Sequence, residues 1–161
     1  MAGRVSAGPA GVIRPIAAAV IRNGDRILVW DDHDPVTGAV VAVPLAGGIE
    51  FGETGADAIR REILEEIAAT TRCVSFLGVF EDIFEWAGQR RHELYLVYDV
   101  ELGERVVYDA DVIEVVEPDG TTYPARWRPI SEFDAKLRLV PQGLLDRVRG
   151  LMSGERGGAA R

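Results

Sequence analysis

The run GGIEFGETGADAIRREILEEIAA, from Gly47 to Ala69, decides how this chain is read. Ala56, Ile59, Ile63 and Ile67 recur at three- and four-residue spacing, which predicts an amphipathic helix from about Gly55 to Ala68 with Thr54 as its N-cap. At roughly 100° per residue, Glu62, Glu65 and Glu66 fall on one face beside that apolar stripe. A solvated acidic face would normally carry a lysine or arginine four residues on. Glu62 and Glu66 are instead a like-charge i,i+4 pair, which repels. A divalent cation is the natural counter-charge. Hard carboxylate oxygens suit Mg²⁺ or Mn²⁺, which bind through a few carboxylates, water and substrate phosphates. The Gly47-Gly48 loop allows close backbone approach, so a carbonyl there can complete a shell. Arg61 is the matching partner for Glu53, where a bidentate pair would pin the loop to the helix.

Outward from this run the pattern is mostly strand. Ala17–Arg22 and Arg26–Trp30 flank Asn23-Gly24-Asp25, a strong hairpin signal. Residues 31–38 (DDHDPVTG) read as a polar loop, and Val40–Val43 as a short strand ending at Pro44. After the helix come Cys73–Glu85 and Arg91–Asp99, joined through residues 86–90 (WAGQR). Val112–Val116 and Thr122–Trp127 flank Pro118-Asp119-Gly120, and Pro141–Met152 closes with a helical pattern. Strands, helix, strands, helix predicts an α+β fold, an α/β/α sandwich with a mixed, largely antiparallel sheet between helices.

A chain of 161 residues fits one domain, here 14–152, with 1–13 as a flexible N-terminal segment and 153–161 as a disordered tail. One cysteine, Cys73, excludes an intramolecular disulfide and suits a reducing cytoplasm; its apolar context predicts a small core residue. No targeting segment is visible, and the apolar run Ile16–Ile21 is far too short to span a bilayer. A net charge of −8 repels nucleic-acid phosphate at long range, which argues against duplex binding and against a membrane role. A polyanionic small molecule must therefore be met by local arginines or by bound metal.

The run resembles the Nudix box, with Gly47, Glu53, Arg61, Glu62, Ile63, Glu65 and Glu66 at the box spacing. One position departs: the box's terminal glycine is Ala68, which suggests a slightly different helix exit. The likeness extends over roughly Ile13 to Met152 and implies the Nudix fold. It also implies a pyrophosphohydrolase that uses Mg²⁺ or Mn²⁺ to cleave a diphosphate linkage in a nucleoside diphosphate derivative or nucleoside triphosphate. By the resemblance, Glu62, Glu65 and Glu66 are metal carboxylates, Ala46 offers a carbonyl ligand, and Glu53 is a structural or secondary metal-site carboxylate paired with Arg61. The general base is Glu62 or a residue outside the box, either His92 or Glu93, of which only one faces the site because strand neighbours alternate. Trp86, placed in a turn, is a candidate stacking platform, and Arg90 and Arg91 are candidate phosphate contacts. His33, in the polar loop, reads as solvated, and Trp30 and Trp127 as core.

Substrate is narrowed mainly by absence. No proline stands between Pro44 and Pro118, where ADP-ribose cleavers of this family carry one, and the marks of dinucleoside polyphosphate and NADH cleavers are missing too. A Nudix-like metabolite sensor without hydrolysis is the alternative, although such domains usually lose box carboxylates and all four are present here. Homodimers are common in the family, but no residue of this chain argues for one.

Overall fold

The computed structural model describes residues 11–154, so of the segments 1–13 and 153–161, expected to be flexible and disordered, residues 1–10 and 155–161 lie outside the described residues, while Ile13 already begins a strand. Twelve elements follow in order: β1 (Ile13–Asn23), β2 (Arg26–His33), β3 (Val40–Gly48), α1 (Gly55–Ile67), β4 (Thr71–Trp86), β5 (Gln89–Leu102), α2 (Arg105–Asp109), β6 (Val112–Val116), β7 (Thr122–Pro129), a 3₁₀ turn (Ile130–Glu132), β8 (Arg138–Leu139) and α3 (Leu144–Met152). The sheet runs β4-β5-β1-β3-β2-β7-β6, with β8 on β3. The β1–β5 and β3–β8 pairs are parallel and the others antiparallel. This is the expected mixed, largely antiparallel sheet.

Strand alternation sorts side chains onto two faces. Ala17, Ala19 and Ile21 join Ala58, Ile59 and Ile63 of α1 in one core cluster. Ile16, Ala18 and Val20 join Leu144 and Val148 of α3 in the other. β1 lies between both layers, which explains its unbroken apolar run.

Three local departures from the sequence pattern have physical reasons. β3 does not stop at Pro44 but continues to Gly48. It pairs with β2 over Val40–Pro44 and with β1 over Leu45–Gly48, so the proline, which has no N–H, sits where the strand changes neighbours. The β4–β5 connection is a two-residue turn, Ala87-Gly88, with φ of 53° and 72°, closing a much longer hairpin than expected. Cys73 is exposed rather than buried, because β4 is the outer strand and Trp86 alone of its residues is buried. α2 and β8 escaped the pattern because they are only five and two residues long. Trp30 and Trp127 are buried and His33 is exposed, as expected. No helix among the described residues is long and apolar enough to cross a membrane.

Thr54 caps α1 as the sequence implies: its Oγ1 accepts from Asp57 N at 3.1 Å and donates to the Asp57 carboxylate at 2.6 Å. At the other end Ala68 takes the left-handed conformation, φ 52° and ψ 32°, and its N–H reaches Leu64 O. The helix exit is therefore the one a glycine would make, with an alanine under strain, and not a different exit. Ala68→Gly is expected to stabilise the fold by roughly 0.5–1 kcal/mol, read as a rise of about 2–3 °C in Tm. A fall in Tm would show that the cap carries no strain.

Candidate active site

The loop after β3 and the helix α1 are joined through one guanidinium. Arg61 Nε and Nη2 donate to the two oxygens of Glu53 at 2.9 and 3.0 Å. Its Nη1 donates to Glu62 Oε1 at 2.7 Å and to Glu65 Oε2 at 3.4 Å, and Nη2 also reaches Gly48 O at 3.0 Å. Each guanidinium N–H is engaged, so the arginine is a fixed bracket with no donor left to reach out to a ligand. Glu53 is tied from the loop side as well, accepting Glu50 N at 3.1 Å. Arg61, with the Glu50 amide, holds the Glu53 carboxyl below its ordinary range. The same charges and hydrogen bonds push the Arg61 guanidinium further up. These contacts give Glu53 and Arg61 the loop-clamping geometry anticipated for them.

The three helix glutamates differ sharply. Glu65 is half exposed, whereas Glu62 and Glu66 are buried. Burial raises the Glu62 carboxyl, opposed by Arg61. Glu66 is pushed up to about 9, first by burial and then by the charges of Glu62, Glu117 and Glu65. Its Oε2 is a buried oxygen without a hydrogen-bond partner among the described residues. Gly47 packs against this cluster so closely that a Cβ on it would meet Glu62 Cδ at 1.8 Å. Ala46, the carbonyl candidate, precedes it at the end of β3, opposite Ala18 of β1.

These features fit a hard divalent cation: an orphaned carboxylate oxygen, several like charges facing it, and a backbone cradle that tolerates no side chain. As the side chains stand, no three His, Cys, Asp or Glu among the described residues converge into a coordination shell. Arg61 Nη1 holds Glu62 Oε1 at 2.7 Å.

One carboxylate at this site was invisible to motif reading. Glu117 lies in the β6–β7 connection, and its charge bears on both Glu62 and Glu66. It accepts a hydrogen bond from Tyr123 Oη at 2.8 Å. Burial, Glu66 and Glu117 together push the Tyr123 phenol far up, so it remains a donor. Asp32, 2% exposed, also acts on that phenol. The only signal available in sequence was an acid preceding the Pro118-Asp119-Gly120 turn, which nothing links to α1 until the strands pair.

The structure does not bring the outside candidates to the helix. Glu93 shares its face with Tyr95 and Val97, in the α3-side core, so its carboxylate lies across the sheet from α1. There it is fully buried, takes a short hydrogen bond from Tyr95 Oη and meets Arg14 Nη1 at 3.5 Å. His92 does face the α1 side but is paired with Glu81 at 2.8 Å. It lies six residues before Tyr98, whose hydroxyl abuts Gly55 at the start of α1, or about 20 Å along the strand. Trp86 is 4% exposed, not an exposed turn residue, because it ends β4 and packs into the core. Its indole borders a cavity of about 600 Å³ shared with Phe84, Phe133, Asp34, Arg138 and Arg149. Arg90 and Arg91 line a smaller hollow of about 270 Å³ beside Ile83 and His92. The hairpin tip is fastened by Ala87 N donating to the buried Asp34 carboxylate at 3.2 Å.

The site is thus a helix-borne acid cluster clamped by one arginine, on a mixed sheet between helices. The NUDIX domain family model matches residues 12–147, and the chain belongs to that family, whose members are pyrophosphohydrolases acting on nucleotide-type substrates. Solved structures agree on the fold. The MutT NUDIX hydrolase from Burkholderia pseudomallei is 23% identical with a TM-score of 0.63, over 85% of this chain and 98% of that one. The E. coli ORF135 protein is 18% identical with a TM-score of 0.62, over 96% and 100%. A NUDIX hydrolase from Nitrosomonas europaea is 22% identical with a TM-score of 0.57, over 90% and 92%. No curated protein matches.

Because the folded Glu66 carboxyl lies well above its unfolded value, the native state keeps a proton that the unfolded chain has released between about pH 4.5 and 9. Metal-free protein should therefore lose stability as pH rises through that window. Glu66→Gln should flatten the decline and raise Tm by several degrees near pH 8, about the pH where the difference is largest within the ordinary range. Mn²⁺ should stabilise the parent and not the variant. Equal Mn²⁺ stabilisation of both would refute a metal site at Glu66.

Proposed function

We propose that this chain is a divalent-metal-dependent hydrolase that cleaves the diphosphate linkage of a nucleoside diphosphate derivative or nucleoside triphosphate by attack of water on phosphorus. The observation that carries the reading is the buried, unpartnered Glu66 oxygen inside an arginine-clamped acid cluster. Glu62, Glu65 and Glu66 would hold Mg²⁺ or Mn²⁺, with the Ala46 carbonyl beside them. When bound, the ion supplies charge neutralisation at the phosphates and a lowered pKa for water.

The chain's own residues divide the remaining work. Arg61 and Glu53 hold loop and helix in one geometry, and Gly47 leaves room for the Glu62 carboxylate. The proton released by the attacking water passes to a carboxylate of the cluster. Glu117 is the favoured acceptor, through Oε2, since Oε1 is taken by Tyr123. Glu62 is less free for that role because Arg61 Nη1 holds its Oε1, and Glu93 is out of reach across the sheet. The 600 Å³ cavity, with the Phe84 and Trp86 rings, has the size of a site for the non-phosphate part of such a substrate. A cytoplasmic setting belongs to this proposal and rests on the single cysteine.

Product release measured with Mg²⁺ or Mn²⁺ over a panel of nucleoside triphosphates, nucleotide sugars and other nucleoside diphosphate derivatives is expected to find at least one turned-over substrate. Tight binding across the panel without turnover would favour the sensor instead. Glu117→Gln is expected to lower kcat by about 10²–10⁴-fold. Glu93→Gln should leave kcat nearly unchanged. The reverse pattern would return the base to Glu93.

A further inference from the structure

Glu117 is held by a phenol rather than by a charge. The backbone of its turn closes on itself, with Glu117 N donating to Thr121 O at 2.8 Å and Gly120 N to Glu117 O at 2.9 Å. In the β6–β7 ladder Val115 stands opposite Tyr123, and Glu117, two residues on, projects to the same face. Val115 is fully buried in the core beneath α1, so this is the face of Glu62 and Glu66. The Tyr123 ring lies against the buried Trp30 ring, centroids 4.2 Å apart. Across from this row sits the unpartnered, buried Glu66 Oε2.

We propose that Tyr123 is a positioning residue of the metal centre: its hydroxyl, braced by the Trp30 ring, holds the Glu117 carboxylate toward Glu62 and Glu66. The inference rests on the metal-dependent reading above. Like charge on the helix would drive an unheld Glu117 side chain toward solvent, since a glutamate has three rotatable bonds to move by. A phenol restrains it by donating to Oε1 while leaving Oε2 free. A phenol also adds no positive charge, so the negative field that attracts a cation is kept. On the opposite side Arg61 restrains Glu62 but neutralises part of its charge.

Mn²⁺ binding to the metal-free protein, followed by loss of the free-ion EPR signal, tests this without relying on turnover. Tyr123→Phe should weaken Mn²⁺ affinity about tenfold, as loss of a supporting hydrogen bond to a ligand commonly does. Its Tm should stay close to the parent's, because the Trp30 contact is retained. Glu117→Gln should weaken affinity at least as much, and adding Tyr123→Phe to Glu117→Gln should change nothing further. Unchanged affinity in Tyr123→Phe, or additive losses in the double variant, would overturn the positioning role. Glu66→Gln separates the two levels: if it too leaves Mn²⁺ affinity unchanged, the metal-centre reading itself fails, and if it abolishes binding while Tyr123→Phe leaves affinity unchanged, only the role of Tyr123 fails.

Discussion

The structure of the site depends on the Arg61 guanidinium, whose five N–H groups meet Glu53, Glu62, Glu65 and the Gly48 carbonyl. A planar fork is the one side chain that holds two oxygens of one carboxylate and still reaches a second and a third. Without it the loop 48–54 would lose its tether to the helix, and Glu62 would face Glu66 without any opposing charge. The bracket makes no hydrogen bond to Glu66, whose Oε2 stays buried without a partner. The repulsion that makes α1 costly as an isolated helix is thereby concentrated at one buried oxygen, where a cation gains most.

That concentration needs both walls of the site. α1 carries three of the carboxylates, but the β6–β7 hairpin carries the fourth, and it arrives there because β6 and β7 extend the sheet past β2. Trp30 on β2 and Tyr123 on β7 meet across that extension. On the proposed function, the sheet edge takes part in the chemistry and does not only support the helix.

The long β4–β5 hairpin has a different part. Its alternation sends Glu93 and Tyr95 to the α3 side, and its tip is fastened to the β2–β3 loop through Asp34. The hairpin walls a cavity with Phe84 and Trp86 instead of presenting an exposed indole. Glu93 is separated from the acid helix by the thickness of the sheet, and His92 by the length of the strand.

Short-range spacing was enough to read the clamp and the helix. The Glu53–Arg61 separation, the Thr54 cap and the Glu62/Glu65/Glu66 face all follow from helix geometry within twenty residues, and so they were legible in the sequence, as was the mixed sheet between helices. Which strand face each outside residue occupies was not legible, because parity on β5 has meaning only once β1 and β4 are paired to it. Glu93 was misplaced for that reason, Trp86 because the hairpin turn is only two residues long and leaves it at the end of β4, and Cys73 because nothing local marks an outer strand. Glu117 and Tyr123 lie more than fifty positions from Glu66, and only sheet pairing makes them neighbours. The sequence by itself determined the helix, its clamp and the family, since these are written in local spacing; tertiary structure alone decided which distant carboxylate joins them, since that depends on long-range strand pairing.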